Sequence, residues 1–166
     1  MIRAIEQSDI PQILSIYEYY VLNSAATFET EVPSLEKFTE RINDILRTYP
    51  YLVYEEDGKI IGYAYASVFR TRVAYRFSTE VSVYVHKDHF GKKIGKALYG
   101  ELLPILKKMG FHTAIGGLTL PNDASVKLHE HFGFKKAAEF KHSGYKFGKW
   151  HNTGFWQLML DDYPTN

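Results

Sequence analysis

One α+β (mixed α/β) domain, on a single twisted mixed sheet of about six or seven strands with about four helices, is the fold class this 166-residue sequence predicts. Three observations predict it. Strand-like runs outnumber helical ones, hairpin signals stand beside a strand-helix-strand unit, and the order along the chain reads βααβββαβαββ. The length suits a single core and is short for two.

The elements follow in order. After a short strand near Ile2 to Ile5, "DIPQILSIYEYYV" spaces Ile10, Ile13, Leu14, Tyr17 and Val21 with helical period. Asp9 stands ahead of it as an N-cap candidate and Pro11 suits the first turn. A polar and aromatic loop, "LNSAATFETEVP", leads to a second amphipathic helix from Ser34 to about Arg47, striped by Leu35, Phe38, Ile42 and Ile45. "YLVYEEDGKIIGYAYASVF" is two β-rich runs around Asp57-Gly58, a pair made for a tight hairpin. A basic loop, "RTRVAYR", precedes a strand from about Phe77 to His86.

"KKIGKALYGELLPILKKMG" is helical in period and stops at Gly110, with Pro104 predicting a kink or a lost backbone bond inside it. "FHTAIGGLTL" reads as a strand and "NDASVKLHEHFGF" as a short helix closed by Gly133. Two strands, near Phe134 to Phe140 and Gly154 to Leu160, complete the chain, and the last few residues are expected to fray.

Composition excludes several functions. Lysine plus arginine (20) nearly cancels aspartate plus glutamate (19), so no overall field draws the chain to nucleic acid or anionic membranes. With no cysteine there is no disulfide framework, thiol nucleophile or thiolate metal site. The start "MIRAIEQSDIP" lacks the build of a signal peptide, and the longest apolar runs are about half the roughly 20 residues of a membrane helix. A cytoplasmic protein without membrane or nucleic-acid partners is expected. "HEH" at 129 to 131 puts its histidines two apart, on different helix faces, so no metal site is expected.

The sharpest local signal is "HFGKKIGKALY", a strand-to-helix junction with glycines at 91 and 95 and three lysines. A helix start offers backbone N–H groups and the positive end of the dipole, and glycines clear the way for an anion. Its spacing fits neither a Walker loop nor a dinucleotide fingerprint. A surface helix with a lysine-rich first turn is the alternative reading of the loop alone.

"VSVYVHKDHFGKKIGKALYGELL" resembles the cofactor segment of the GNAT family of N-acetyltransferases. "LTLPNDASVKLHEHFGF" and "GYKFGKWHNTGFWQL" resemble its subfamily of phosphinothricin and methionine sulfoximine acetyltransferases, over nearly the whole chain. Two positions depart from the family loop, Phe90 for Gln or Arg and Lys93 for glycine. The resemblance implies a GNAT-like fold, one N-acetyltransferase domain over 1–166, acetyl-CoA as acyl donor, no metal, and a homodimer.

It further implies roles. Val83, Tyr84 and Val85 would pair with the pantetheine arm, and Gly91, Lys92, Lys93, Ile94, Gly95 and Lys96 would surround the pyrophosphate. Lys93 could replace glycine if its backbone kept an ordinary helical conformation. Asn122 would contact the cofactor, although it or Asp123 also suits a helix cap. Glu80 would take the ammonium proton, His129 would protonate the leaving thiolate, and the N–H of Tyr84 or a neighbour would face the oxyanion. Without the resemblance, Glu80 reads equally as a solvent-facing strand residue and His129 as a surface or core histidine.

For the acceptor, the resemblance implies a small amino-acid analogue with a phosphinyl, sulfone or sulfoximine end, acetylated on its α-amino group by direct transfer in a ternary complex. Arg72 and Tyr75 match positions near the substrate, Phe28 and Glu29 lie in the loop walling the acceptor side, and Arg70 and Arg76 read equally as surface arginines. Trp150, Phe155 and Trp156 would form a pocket floor or dimer contact, with Asn152 where Asp is common. Two other readings stay open: another amine acceptor (polyamine, antibiotic or protein N-terminus), and a non-catalytic acyl-CoA-binding module.

Overall fold

The computed structural model describes residues 1–161. Its elements are β1 (Ile2–Ala4), α1 (Ile10–Asn23), α2 (Leu35–Leu46), β2 (Tyr51–Glu56), β3 (Lys59–Val68), β4 (Ser78–Val85), α3 (Ile94–Lys108), β5 (Thr113–Leu120), α4 (Asp123–His131), β6 (Lys135–Lys146) and β7 (Lys149–Met159). The sheet is mixed and seven-stranded in the order β1-β2-β3-β4-β5-β7-β6, an α+β architecture. Two compact units make up the chain: Met1–Ala66 with Ser82–Leu102, and Ser67–Val81 with the chain from Leu103 on.

In the first unit, β2 runs antiparallel to β1 and to β3, with Tyr51 opposite Tyr65 and Val53 opposite Tyr63. Asp57 and Gly58 turn the β2–β3 hairpin at φ +50° and +76°, the left-handed pair that a two-residue turn requires. Ile13, Ile16 and Tyr17 of α1 and Phe38 and Ile42 of α2 form a core with Tyr51, Val53 and Tyr63. Burial of each such side chain stabilises by about 1.5–3 kcal/mol. Ser34 Oγ accepts from the Lys37 N–H at 3.2 Å, the expected cap of α2. Asp9 behaves otherwise. It precedes α1, but its carboxylate accepts from the Glu6 N–H and from the Arg3 guanidinium rather than capping the helix. Gly62 lies so near α3 that a Cβ there would meet Ile94 Cγ2 at 2.8 Å.

In the second unit, β4 begins parallel to β5, with Ser78 opposite Thr113 and Glu80 opposite Ile115, where their register ends. β5 then pairs antiparallel with β7 from Thr113↔Met159 to Leu120↔Asn152. The last two strands are longer than expected and form one hairpin, β6–β7, turned by Phe147 and Gly148 at φ +54° and +72°. The turn lacked the usual Asn or Asp. Asn152 spans a bulge in this hairpin, accepting from the His142 N–H at 3.0 Å, with His142 itself at φ +50°.

α3 continues through Pro104, so the missing N–H does not end it. Gly110 and Gly133 carry φ of +90° and +88° at the two helix stops the sequence marked. The expected fraying of the last residues concerns positions outside the described residues.

Candidate active site

The loop from His89 to the start of α3 is exposed and turns at Gly91, φ +77°, and Lys93, φ +62°. Lys93 therefore does not meet the condition of an ordinary helical conformation under which it could replace glycine. It takes the left-handed one that its glycine-like position demands. The first turn of α3 is closed by the Ala97 N–H donating to the Lys93 carbonyl at 3.0 Å. The N–H groups of Ile94, Gly95 and Lys96 thus have no carbonyl partner among the described residues, as at any helix start. Ile94 and Gly95 are buried while Lys92, Lys93 and Lys96 are exposed.

On β4, the His86 N–H donates to the Ile61 carbonyl at 2.9 Å. Backbone groups alternate along a strand, so Tyr84, two residues back, points the same way, toward β3. Of Tyr84 and its neighbours, the alternation turns Val83 and Val85, not Tyr84, away from β3. Val85 is already engaged, because the Tyr20 hydroxyl donates to its carbonyl at 2.6 Å and accepts from its N–H at 3.2 Å. Tyr84 contributes its ring instead, edge-on to Tyr17 and Tyr20 at 5.5 and 5.0 Å.

Glu80 is half-buried, and burial raises its carboxyl above the usual range, partly offset by the Arg70 charge. His129 is buried at 2% exposure. Its Nδ1–H donates to the Ser125 carbonyl at 2.7 Å, which in the neutral ring leaves the lone pair on Nε2. Burial holds this imidazole below its ordinary value. Its seat is Gly116, where a Cβ would come within 2.4 Å of Nε2. Gly116 follows Ile115, the partner of Glu80, so Glu80 and His129 lie on opposite faces of the sheet. Asn122 caps α4, its Oδ1 accepting from the Ser125 N–H at 3.2 Å. Asn122 and His129 are thus joined through Ser125.

Glu29 accepts from the Tyr17 hydroxyl and pairs with Arg41 at 2.6 Å. With the exposed Phe28 it borders a recess of about 420 Å³ that also includes Glu31, Lys37 and Arg41. Arg72 precedes a short 3-10 turn, Val73–Tyr75, whose Tyr75 sits edge-on to Phe69 at 5.7 Å. Trp150 is exposed and Trp156 is buried. The described residues contain no group of His, Cys, Asp or Glu able to hold a metal.

Residues 2–154 match the family model described as "Acetyltransferase (GNAT) domain". The chain belongs to the GNAT acetyltransferase family. It is 35% identical to a phosphinothricin N-acetyltransferase of Streptomyces viridochromogenes, over 94% of this chain and 85% of that one. It is also 35% identical to the L-methionine sulfoximine/L-methionine sulfone acetyltransferase of Salmonella typhimurium, over 98% and 95%. A GNAT superfamily phosphinothricin acetyltransferase from Sinorhizobium meliloti, solved in complex with AcCoA, superposes with a TM-score of 0.94 at 40% identity, over 96% and 88%. This GNAT chain is therefore an acetyltransferase with the GNAT fold. Sequence reasoning missed Tyr17, Tyr20, Arg41 and Gly116, since helix periodicity assigns the first three to packing or surface and a strand glycine carries no sign of the ring above it.

Proposed function

We propose that the protein transfers the acetyl group of acetyl-CoA to the α-amino group of a small amino acid with a tetrahedral sulfur or phosphorus end, such as methionine sulfone, methionine sulfoximine or phosphinothricin. The observation that carries this reading is the likeness, over nearly the whole chain, to enzymes named for those acceptors. The loop fits the donor. Its two left-handed residues bare the first N–H groups of α3, beside Lys92 and Lys96, to a pyrophosphate. Val83 supplies its carbonyl to an amide-rich arm, with Asn122 as a further contact, while Val85 is held by Tyr20.

Two protons leave the nitrogen as it becomes an amide. Glu80, in its ionised form, takes the first and passes it to solvent, which frees the lone pair for attack on the thioester carbon. The Val83 N–H donates to the carbonyl oxygen as charge gathers there; loss of one such donor typically costs roughly 10² to 10³ in rate. His129 rests neutral with Nε2 unprotonated; that nitrogen takes up the second amine proton and passes it to the sulfur as the C–S bond breaks, so the imidazole returns to its neutral form. Arg72 suits the acceptor carboxylate, whose two oxygens match a guanidinium fork, and Phe28, Glu29 and Tyr75 complete the acceptor wall.

One N-acetyltransferase domain over 1–166, a homodimer and a cytoplasmic location belong to the same reading. The family match across both compact units supports the first. No helix of the described residues is long and apolar enough to cross a membrane. Size-exclusion chromatography with light scattering tests the dimer.

The deciding assay is thiol release from acetyl-CoA with methionine sulfone, methionine sulfoximine, phosphinothricin and spermidine. Turnover of one of the first three, reduced at least about tenfold in Glu80→Gln or His129→Ala, is expected. Turnover of spermidine alone, or of none, overturns the acceptor assignment.

A further inference from the structure

Within the first unit, a cavity of about 70 Å³ is lined by Tyr17, Tyr51, Tyr63 and Tyr65, with Phe38 and Arg41. Tyr51 faces Tyr65 across the β2–β3 ladder, the rings stacked at 4.8 Å, and Tyr63 stacks on Tyr51 at 5.7 Å. Tyr51 and Tyr63 keep only 3% and 1% of their surface. Neither hydroxyl has a hydrogen-bond partner among the described residues. Yet none of the described residues has a side-chain oxygen or nitrogen that is both sealed from solvent and unpartnered. The residual surface of Tyr51 and Tyr63, both of which line the cavity, therefore includes their hydroxyls.

A buried tyrosine hydroxyl normally finds a partner, and a wall meant only for packing is served by phenylalanine. Burial keeps both phenols protonated, so they are neutral donors. Arg41 adds a cation that Glu29 already balances. The volume admits a terminal group of a few heavy atoms and is far below the roughly 300–1,000 Å³ of a whole ligand site. Neutral donors among aromatic faces suit a group with strong acceptor oxygens beside a methyl.

We propose that this tyrosine cavity is the subsite for the methylated, oxygen-bearing sulfur or phosphorus end of the acceptor. The proposal rests on the acceptor class inferred above and adds the residues that select it. Plain aliphatic amino acids leave these hydroxyls unanswered, so the cavity discriminates against them.

Tyr51→Phe and Tyr63→Phe each remove one oxygen and preserve the ring. Initial rates with methionine sulfone and with norleucine test them, beside thermal unfolding. We expect the KM for methionine sulfone to rise about five- to tenfold in each, the size of one neutral hydrogen bond. The KM for acetyl-CoA and for norleucine should stay within about twofold, and the melting temperature should hold or rise because no protein partner is lost. Equal effects on both acceptors, no effect on either, or a lowered melting temperature in both variants would assign the hydroxyls to the fold and overturn the proposal. Where wild type prefers methionine sulfoximine or phosphinothricin, that acceptor replaces methionine sulfone in the test; if wild type acetylates none of the three, it is the acceptor class itself that has failed, and the subsite proposal goes with it.

Discussion

The imidazole of His129 occupies the space that a side chain at Gly116 would need, with Nε2 2.4 Å from the position of that Cβ. The ring cannot simply turn aside: it is bonded to the Ser125 carbonyl at 2.7 Å and lies edge-on to Phe134 at 5.0 Å. Gly116→Ala should therefore destabilise the fold by about 1–3 kcal/mol, the usual cost of forcing an extra methyl into a packed core. It should also lower kcat in line with His129→Ala. Thermal unfolding and thiol-release kinetics check both, and a variant with unchanged melting temperature would show that the ring moves freely.

Lys93 bears a left-handed backbone that costs a non-glycine residue roughly 1–2 kcal/mol. Glycine relieves that strain but loses more entropy on folding, so Lys93→Gly should stabilise by about 1 kcal/mol or less. Its KM for acetyl-CoA should change little, because the contacts proposed there are made by the backbone. A fall in melting temperature would show that the lysine side chain holds the loop.

Glu80 must be ionised to take a proton, and burial raises its pKa above the ordinary 4.5. Activity should fall as pH falls, with the acid limb of kcat/KM centred above that value. Glu80→Gln should abolish the limb and reduce kcat by roughly 10² to 10⁴. A wild-type limb centred below 4.5 would contradict the burial argument.

His129 titrates in the opposite sense. Its folded pKa lies below the ordinary 6.5, so the unfolded chain binds the proton first as pH falls. Its contribution to stability is full above pH 6.5 and is lost as pH falls through the folded value. Thermal unfolding of His129→Asn should show a smaller drop between pH 7.5 and 5.5 than wild type, and equal drops would remove His129 from the linkage.

Tyr20 holds both backbone groups of Val85 through one hydroxyl. Tyr20→Phe should destabilise by about 1–3 kcal/mol, since each buried group left unpaired carries a desolvation cost. Chemical denaturation measures it, and a change below about 0.5 kcal/mol would show that water replaces the hydroxyl.

Much of this protein was determined by the sequence alone. The period of "ILSIYEYYV" and "LEKFTERI", the Asp57-Gly58 turn and the glycine stops at 110 and 133 depend on interactions within a few residues, so local physics suffices for the element order. The loop at Gly91 and the likeness around Glu80, Asn122 and His129 are equally local in the chain. The β6–β7 hairpin was only half legible, because Phe147 adopts a left-handed turn that a phenylalanine does not advertise. Asp9 looked like a cap and became an ion-pair partner for Arg3, a residue six positions away that the β1–β2 pairing orients. What tertiary structure decided was everything set by close approach between distant segments: the glycine beneath the His129 ring, the tyrosine on Val85, the direction of the Tyr84 N–H, and four phenols meeting in one cavity. Those contacts join residues 13 to 65 positions apart, and which of many compatible side chains meet is settled only when the sheet register and the helix packing are.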